Sequence, residues 1–182
     1  ILGHVTFTNL KCLSKNKTLI AFQQCQIKAV NRTHKYISVH INNFSRNIFN
    51  FSVSMRSILS MSLFLFFRFV FLSLMQINIK ALRFDHGYKP FFFDITFDAC
   101  KYLKDPKNAM VNLFFKAVRQ ASNLNHSCPY NHDIIVDKLW TGNLEDEFLN
   151  YLPIPVGEYC IIFSTFAFKM EYMSVHVFLH LT

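Results

Sequence analysis

The chain has 182 residues, a length that suits one ordinary domain with a hydrophobic core. Apolar residues make up 52% of it, 22 residues are Phe and only 4 are Gly, which excludes a disordered or collagen-like chain. The formal charge is +8, but Lys and Arg are scattered and form no long blocks. Because nucleic-acid-binding proteins usually concentrate these residues, we expect no nucleic acid partner.

Strands dominate the predicted secondary structure. Period-two alternation and apolar runs rich in β-branched and aromatic residues predict strands at 5–12, 19–30, 36–41, 76–84, 91–99, 133–139, 159–168 and 173–181. In the clearest case, 91–99, apolar residues occupy every odd position, and Asp or Thr occupies most even ones. Such a strand has one buried face.

One segment follows the helical period instead. Apolar residues between Val111 and Val118 repeat at i, i+3, i+4 and i+7, which predicts a helix around 107–121. We expect Asp105 to cap this helix and Pro106 to lie in its first turn. Short strands separated by turns, with one helix, predict a mainly β fold, an immunoglobulin-like antiparallel β-sandwich.

The segment 42–75 departs from this pattern. Its apolar part, 58–75, reaches the length of a transmembrane helix, with Arg68 inside it. A span here would place Cys12 and Cys25 on the opposite side of a membrane from the later cysteines. We therefore predict one domain, 1–182, interrupted by an anomalous hydrophobic insertion. The insertion is an artefact of the gene model or a disordered segment, a buried or surface hydrophobic element, or a single-pass membrane anchor.

No catalytic motif is present: the chain lacks G-x-S-x-G, a Gly-rich phosphate loop and H-E-x-x-H. Cys128 with His132 and Asp133 suggests a nucleophilic site, but adjacent strand residues point to opposite faces. About 13 Å along a strand separates the members of three further pairs: Asp94 and Asp98, Asp133 and Asp137, His176 and His180. We predict a protein that is not an enzyme and has no metal and no cofactor.

Cysteines and glycosylation sequons indicate the secretory pathway. No C-x-x-C pair is present among the five cysteines, so disulfides are expected, with one cysteine left over. Asn-x-Ser/Thr triplets are more frequent than the composition gives by chance. They begin at Asn16, Asn31, Asn43, Asn50 and Asn125. Because no signal peptide is present, we expect a mature or truncated form of a secreted protein.

Five motifs in a fixed order point to a known family. They read FTNLKC at 7–12, KAVNRT at 28–33, GYKPFFFDITFDACKYLK at 87–104, SNLNHSCPYNHDIIVDKL at 122–139 and LPIPVGEY at 152–159. With them the chain resembles the insect proteins grouped as DUF1091. That group is similar in turn to MD-2-related lipid-recognition (ML) domains, which include the GM2 activator and chemosensory-B-type proteins. The resemblance implies an ML-like β-sandwich.

The resemblance also sorts the cysteines. The resemblance implies cysteines at Cys12, Cys25, Cys100 and Cys128 and none at Cys160, so we expect Cys160 to be a buried thiol. Four cysteines allow three connectivities, and the local pairing of Cys12 with Cys25 and Cys100 with Cys128 is one of them.

Phe-rich strands and the helix have enough aromatic surface to line a cavity for an acyl chain or sterol, although such side chains also simply pack against one another in many cores. The expected cavity residues are Phe91, Phe93, Ile95, Phe97, Phe114, Phe115, Val118, Phe163, Val175 and Val177. We predict a secreted protein that binds a lipid or small apolar ligand, with a role in chemosensation. The alternative is an extracellular interaction protein with a solid core that acts on a receptor or channel.

Overall fold

A computed structural model describes residues 3–15, 17, 20–32, 34–42, 76–128, 132–149, 152–167 and 169–182. All but the first residue of the insertion predicted at 42–75 therefore lies outside the described residues, as do three sequon asparagines, Asn16, Asn43 and Asn50. Within the described ranges, no helix combines the length and the apolar character needed to cross a membrane.

Two antiparallel sheets make up most of the described chain. The larger sheet has the order β1 (Val5–Ser14), β8 (Met170–Leu181), β7 (Gly157–Ala167), β4 (Gln76–Phe84) and β5 (Tyr88–Asp98). The smaller sheet has the order β2 (Ala21–Ala29), β3 (Lys35–Asn42) and β6 (Ile134–Trp140). The predicted mainly β architecture with two antiparallel sheets is confirmed.

Helices connect the two sheets. They are α1 (Ala99–Lys104), α2 (Ala109–Arg119) and α3 (Thr141–Leu144), and a π-helical segment, Glu145–Leu149, follows α3. The predicted strand at 91–99 ends one residue early, because the side chain of Asp98 accepts a hydrogen bond from the Lys101 amide at 2.7 Å and so caps α1. Sequence periodicity did not reveal α1, which has only six residues.

The cap predicted for α2 was wrong. Asn108, not Asp105, is the N-cap, and its side-chain oxygen accepts hydrogen bonds from the amides of Met110 at 3.0 Å and Val111 at 3.1 Å. Asn108 directly precedes the first helical residue, so its side chain reaches the amides that lack a partner within the helix. Asp105 instead ends α1, where its amide donates to the carbonyl oxygen of Lys101.

One hydrophobic core joins the sheets and α2. Its buried residues include Phe7 and Val177 from the larger sheet, Ile37 and Leu139 from the smaller sheet, and Phe114 and Ala117 from α2. Because α2 contributes buried residues to this cluster, it is part of the sandwich interior and not a surface addition. The inner faces of both sheets are thus covered by apolar side chains.

Two disulfides reinforce this arrangement. Cys12–Cys25 joins β1 to β2 and therefore links the two sheets, while Cys100–Cys128 links α1 to the segment before β6. Of the three connectivities that the sequence left open, the structure has the local one. Cys160 is a buried free thiol on β7, as predicted.

A bulge in β5 shapes the inner face of the larger sheet. Lys80 pairs with Asp94 and Leu82 with Pro90, so three residues of β5 lie opposite Ala81. The central one, Phe92, has a φ of 67° and is 64% exposed, whereas Phe91 and Phe93 on either side pack against the core. The bulge thus turns both flanking rings inward.

Candidate functional site

An apolar pocket of about 60 Å³ lies between the inner face of the larger sheet, α2 and the segment that follows β6. Its wall exposes no polar surface. The lining residues are Val5, Ala81, Phe91, Phe92, Phe93, Phe114, Leu144, Leu149, Ile154, Tyr159, Ile161, Leu179 and Leu181. Such a wall favours an apolar guest.

Ala81 forms the floor of the pocket. It lies on β4, opposite Ile161 of β7, and is 6% exposed. Its side chain is a single methyl group, whereas inward residues of the neighbouring strand, such as Phe91 and Phe93, are much larger. Ala81 therefore leaves open space at this point of the inner face. A larger side chain at Ala81 would enter the pocket directly.

The cover of the pocket consists of α3 and the π-helical segment. Glu145 holds it to β1, because its carboxylate accepts a hydrogen bond from the Val5 amide at 2.7 Å and lies 2.7 Å from the His4 ring nitrogen Nδ1. At Gly142 a Cβ atom would lie 2.6 Å from the Trp140 ring, so a side chain there would force the ring to move. These contacts place Leu144 and Leu149 over the sheet.

The pocket mouth combines exposed apolar groups with one cation. Phe92 is 64% exposed, and Val156, close to the lining residue Ile154, is 67% exposed. The Arg83 guanidinium carbon lies 5.8 Å from the centre of the Phe91 ring and 5.9 Å from that of Tyr159. Burial raises the pKa of the Tyr159 phenol, while the Arg83 charge opposes this shift. The Tyr159 hydroxyl donates a hydrogen bond to the Pro155 carbonyl oxygen.

The predicted cavity residues divide into two groups. Phe91, Phe93 and Phe114 line the pocket. The other seven lie elsewhere. Phe163 packs edge-on against Phe114 with ring centres 5.8 Å apart, and Phe97 and Phe115 pack against Tyr102. Ile95 lies opposite Ile79, and the core contains Val118, Val175 and Val177. None of the seven lines the pocket.

Sequence reasoning missed the cover. Leu144, Leu149 and Ile154 lie in a stretch of short helical turns and loop, where neither the helical period nor the strand period extends far enough to be recognised. The one local indication of an apolar segment packing over the sheet is LPIP at 152–155, where apolar residues alternate with Pro. In the sequence this stretch stands out only as part of a family motif.

The polar candidates occupy structural positions. Cys128 is in a disulfide and has no thiol to act as a nucleophile. Asp133 lies 3.3 Å from the Nε2 atom of His40, and Asp137 accepts a hydrogen bond from the Ser38 hydroxyl at 3.0 Å. In the part of the chain that the structure describes, no group of three or more His, Cys, Asp or Glu residues could hold a metal ion.

The remaining candidates lie on the outer face of the larger sheet. Asp94 accepts a hydrogen bond from Asn78 at 2.7 Å and pairs with Lys80 at 3.2 Å, and these contacts lower the pKa of its carboxyl group. His176 contacts the Ser174 hydroxyl at 3.2 Å, and burial lowers the pKa of its ring. His180 lies on β8 opposite Glu158. None of them lines the pocket.

Comparison with known proteins gives one family. Residues 73–161 match the family described as Protein of unknown function (DUF1091). None of the curated proteins compared with the chain matches it. The matched range contains every pocket-lining residue except Val5, Leu179 and Leu181. The sequence resemblance to DUF1091 is therefore supported over the part of the chain that builds most of the pocket.

Proposed function

We propose that the chain is a secreted binding protein that holds a lipid or other small apolar molecule without transforming it. The observation that carries the proposal is the pocket, whose wall is apolar and is built from both the larger sheet and its helical cover. Removal of apolar ligand surface from water would drive binding, at roughly 25 cal/mol per Å² buried. By resemblance to chemosensory-B-type members of the wider group, the setting is chemosensation.

The proposed compartment rests on the disulfides and the accessible sequons. Disulfides persist in oxidising compartments, and the chain has two. Asn31 and Asn125, each the first residue of an Asn-x-Ser/Thr triplet, are both exposed. Secreted protein should therefore lose mass when N-glycans are removed enzymatically. Unmodified Asn31 and Asn125 in secreted material would contradict the glycosylation.

The volume of the pocket limits how a ligand can bind. About 60 Å³ is twice the volume that one water molecule takes in the liquid, roughly 30 Å³, and is far below the roughly 300 Å³ of a small ligand site. Only the end of an apolar chain fits without movement. A longer portion would lie along the exposed side chains of Phe92 and Val156 or displace them.

A second candidate function follows from the same small volume and from an aromatic cluster on the opposite face of the larger sheet. Phe84 contacts Tyr88 with ring centres 5.3 Å apart, and Tyr88 contacts Phe178 at 5.5 Å. Phe84 is 48% exposed and Tyr88 39%. This surface suits an extracellular interaction protein with a solid core that contacts a receptor or channel.

Probe binding distinguishes the two candidates. N-Phenyl-1-naphthylamine, an uncharged fluorescent apolar probe, should bind the wild type saturably. Ala81→Leu, which adds three carbons at the pocket floor, should weaken binding by about tenfold or more. The matched control is Ala29→Leu, the same change on an exposed position of β2, which should leave binding unchanged.

Two outcomes would favour the interaction protein instead. One is a wild type that does not bind the probe, and the other is binding that Ala81→Leu leaves intact. Thermal unfolding of each variant checks that the fold is retained. If Ala81→Leu does not fold, Ala81→Val, with a smaller β-branched side chain suited to a strand, replaces it.

A further inference from the structure

Arg83 places a positive charge beside an otherwise apolar pocket. It follows the floor residue Ala81 by two positions on β4, so both side chains project from the inner face of the larger sheet. The guanidinium lies over the rings of Phe91 and Tyr159, and both rings line the pocket. Aromatic rings attract a cation placed over their faces, so these two hold the charge beside the pocket.

Within the described part of the chain, the guanidinium retains hydrogen-bond donors without a protein acceptor. It carries five N–H groups, and its Nη2 atom donates to the Val156 carbonyl oxygen at 3.3 Å. Among the described residues, no carboxylate forms a salt bridge with it. Asp85 forms its hydrogen bonds with His86 at 2.9 Å and Lys89 at 3.1 Å. These bonds lower the pKa of its carboxyl group, and the Arg83 charge nearby adds a smaller lowering.

A cation in this position favours ligands whose polar head group is negatively charged. Charge-assisted hydrogen bonds are about twice as strong as neutral ones, and a guanidinium can form two parallel N–H···O bonds with a carboxylate because both groups are planar. A hydroxyl head group can accept only part of this interaction. Partial burial at the pocket wall strengthens the preference, since solvent screens the charge less there.

We propose that the pocket takes a single-chain amphiphile with a carboxylate head, such as a fatty acid. The end of the apolar chain lies over Ala81 in the pocket, and the carboxylate lies against the Arg83 guanidinium. This inference rests on the proposed function and adds the chemical class of the ligand.

Two ligands with the same chain test the head-group preference. Dodecanoate and 1-dodecanol each compete with N-phenyl-1-naphthylamine for the wild type and for Arg83→Gln. The wild type should bind dodecanoate about tenfold or more tightly than 1-dodecanol. Arg83→Gln should abolish this difference by weakening dodecanoate alone. Arg83→Lys, which keeps the charge but loses the planar fork, should give an intermediate affinity.

Lys89→Gln is the matched control, because it removes a nearby positive charge that pairs with Asp85 and should change neither affinity. The carboxylate preference would be overturned if the wild type bound both ligands equally well, or if Arg83→Gln weakened both equally. Either result would leave the proposed binding function in place. Failure of the probe itself to bind the wild type would overturn the proposed function. If Arg83→Gln does not fold, the carboxylate preference is tested by the affinities of Arg83→Lys and by the comparison of dodecanoate with 1-dodecanol on the wild type.

Discussion

Cys160 shows how burial controls the chemistry of a single residue. It is 2% exposed on β7, and burial raises its pKa to about 11, while the Lys11 charge opposes the shift. The thiol therefore stays protonated at neutral pH and is a poor nucleophile. Its position also keeps it out of the two disulfides, whose sulfur atoms join other elements.

Stability should fall in the alkaline range because of Cys160. In the unfolded chain the thiol ionises near pH 9, whereas the folded chain keeps its proton up to about 11, so the unfolded state binds fewer protons between these values. The free energy of unfolding should drop by about 1 kcal/mol between about pH 8 and 10 through this group. Urea titrations at these pH values measure the drop.

The control for this prediction is Cys160→Ala. Burial also raises the pKa of Tyr88, Tyr102 and Tyr159, which contribute a further loss above their usual range in both proteins. The difference between the wild type and Cys160→Ala gives the contribution of the thiol together with its smaller effect on the pKa of Tyr88. Identical pH dependence in the two proteins would contradict the assignment.

The buried hydroxyl group of Thr141 lowers the stability of the fold. The residue is fully buried at the start of α3, and its hydroxyl oxygen has no hydrogen-bond partner among the residues that the structure describes. Thr141→Val, which keeps the shape and removes the hydroxyl, should raise the free energy of unfolding by about 1 kcal/mol. Ser38→Ala is the contrast, since the Ser38 hydroxyl bonds to Asp137 and should cost stability when removed. A destabilised Thr141→Val would show that the hydroxyl is satisfied in solution.

At the scale of elements, the Cys100–Cys128 disulfide closes the loop that contains α2. Replacing both cysteines by Ser should lower the free energy of unfolding by about 3 to 4 kcal/mol, because the reduced chain gains entropy when unfolded. It should also weaken probe binding, since α2 supplies Phe114 to the pocket. Chemical unfolding and probe titration measure the two effects.

The Cys12–Cys25 pair is the comparison, because it closes a shorter loop and joins β1 to β2. Its replacement should cost a similar amount, about 3 kcal/mol, and leave probe binding nearly unchanged. If both double variants lose binding equally, α2 is not held by its own disulfide. The position of α2 would then depend on global stability alone.

Sequence patterns predicted these elements to different degrees. The strand at 76–84 was predicted with the bounds observed for β4, because Ile77, Ile79 and Ala81 alternate with polar residues in its first half. The bulge in β5 was not predicted, since the alternation of Phe91 and Phe93 looks the same in a regular strand. Its cause is the left-handed conformation of Phe92, which period-two reasoning does not detect.

The pocket was predicted only in part for a related reason. Aromatic strands indicated apolar volume, but which side chains face open space depends on how the segment 141–154 lies over the sheet. That position is fixed by long-range contacts such as the bond from the Val5 amide to Glu145, which are 140 residues apart. Local periodicity carries no information about contacts at this separation.

At the scale of the whole molecule, two sheets, α2 and a helical cover surround a small apolar pocket, and Arg83 lies over two of the rings that line it. The disulfides join elements around this core. The net charge of +8 suits an anionic ligand or surface better than a cationic one. These features together support a carrier of an apolar molecule.

Native mass spectrometry of the chain produced through a secretory pathway tests this account most directly. The wild type, incubated with dodecanoate, should show an added mass that matches the ligand and is lost on organic extraction, and Ala81→Leu should show little or none. A wild type that stays bare at every ligand concentration, or an Ala81→Leu variant that carries the ligand equally well, would contradict binding in the pocket.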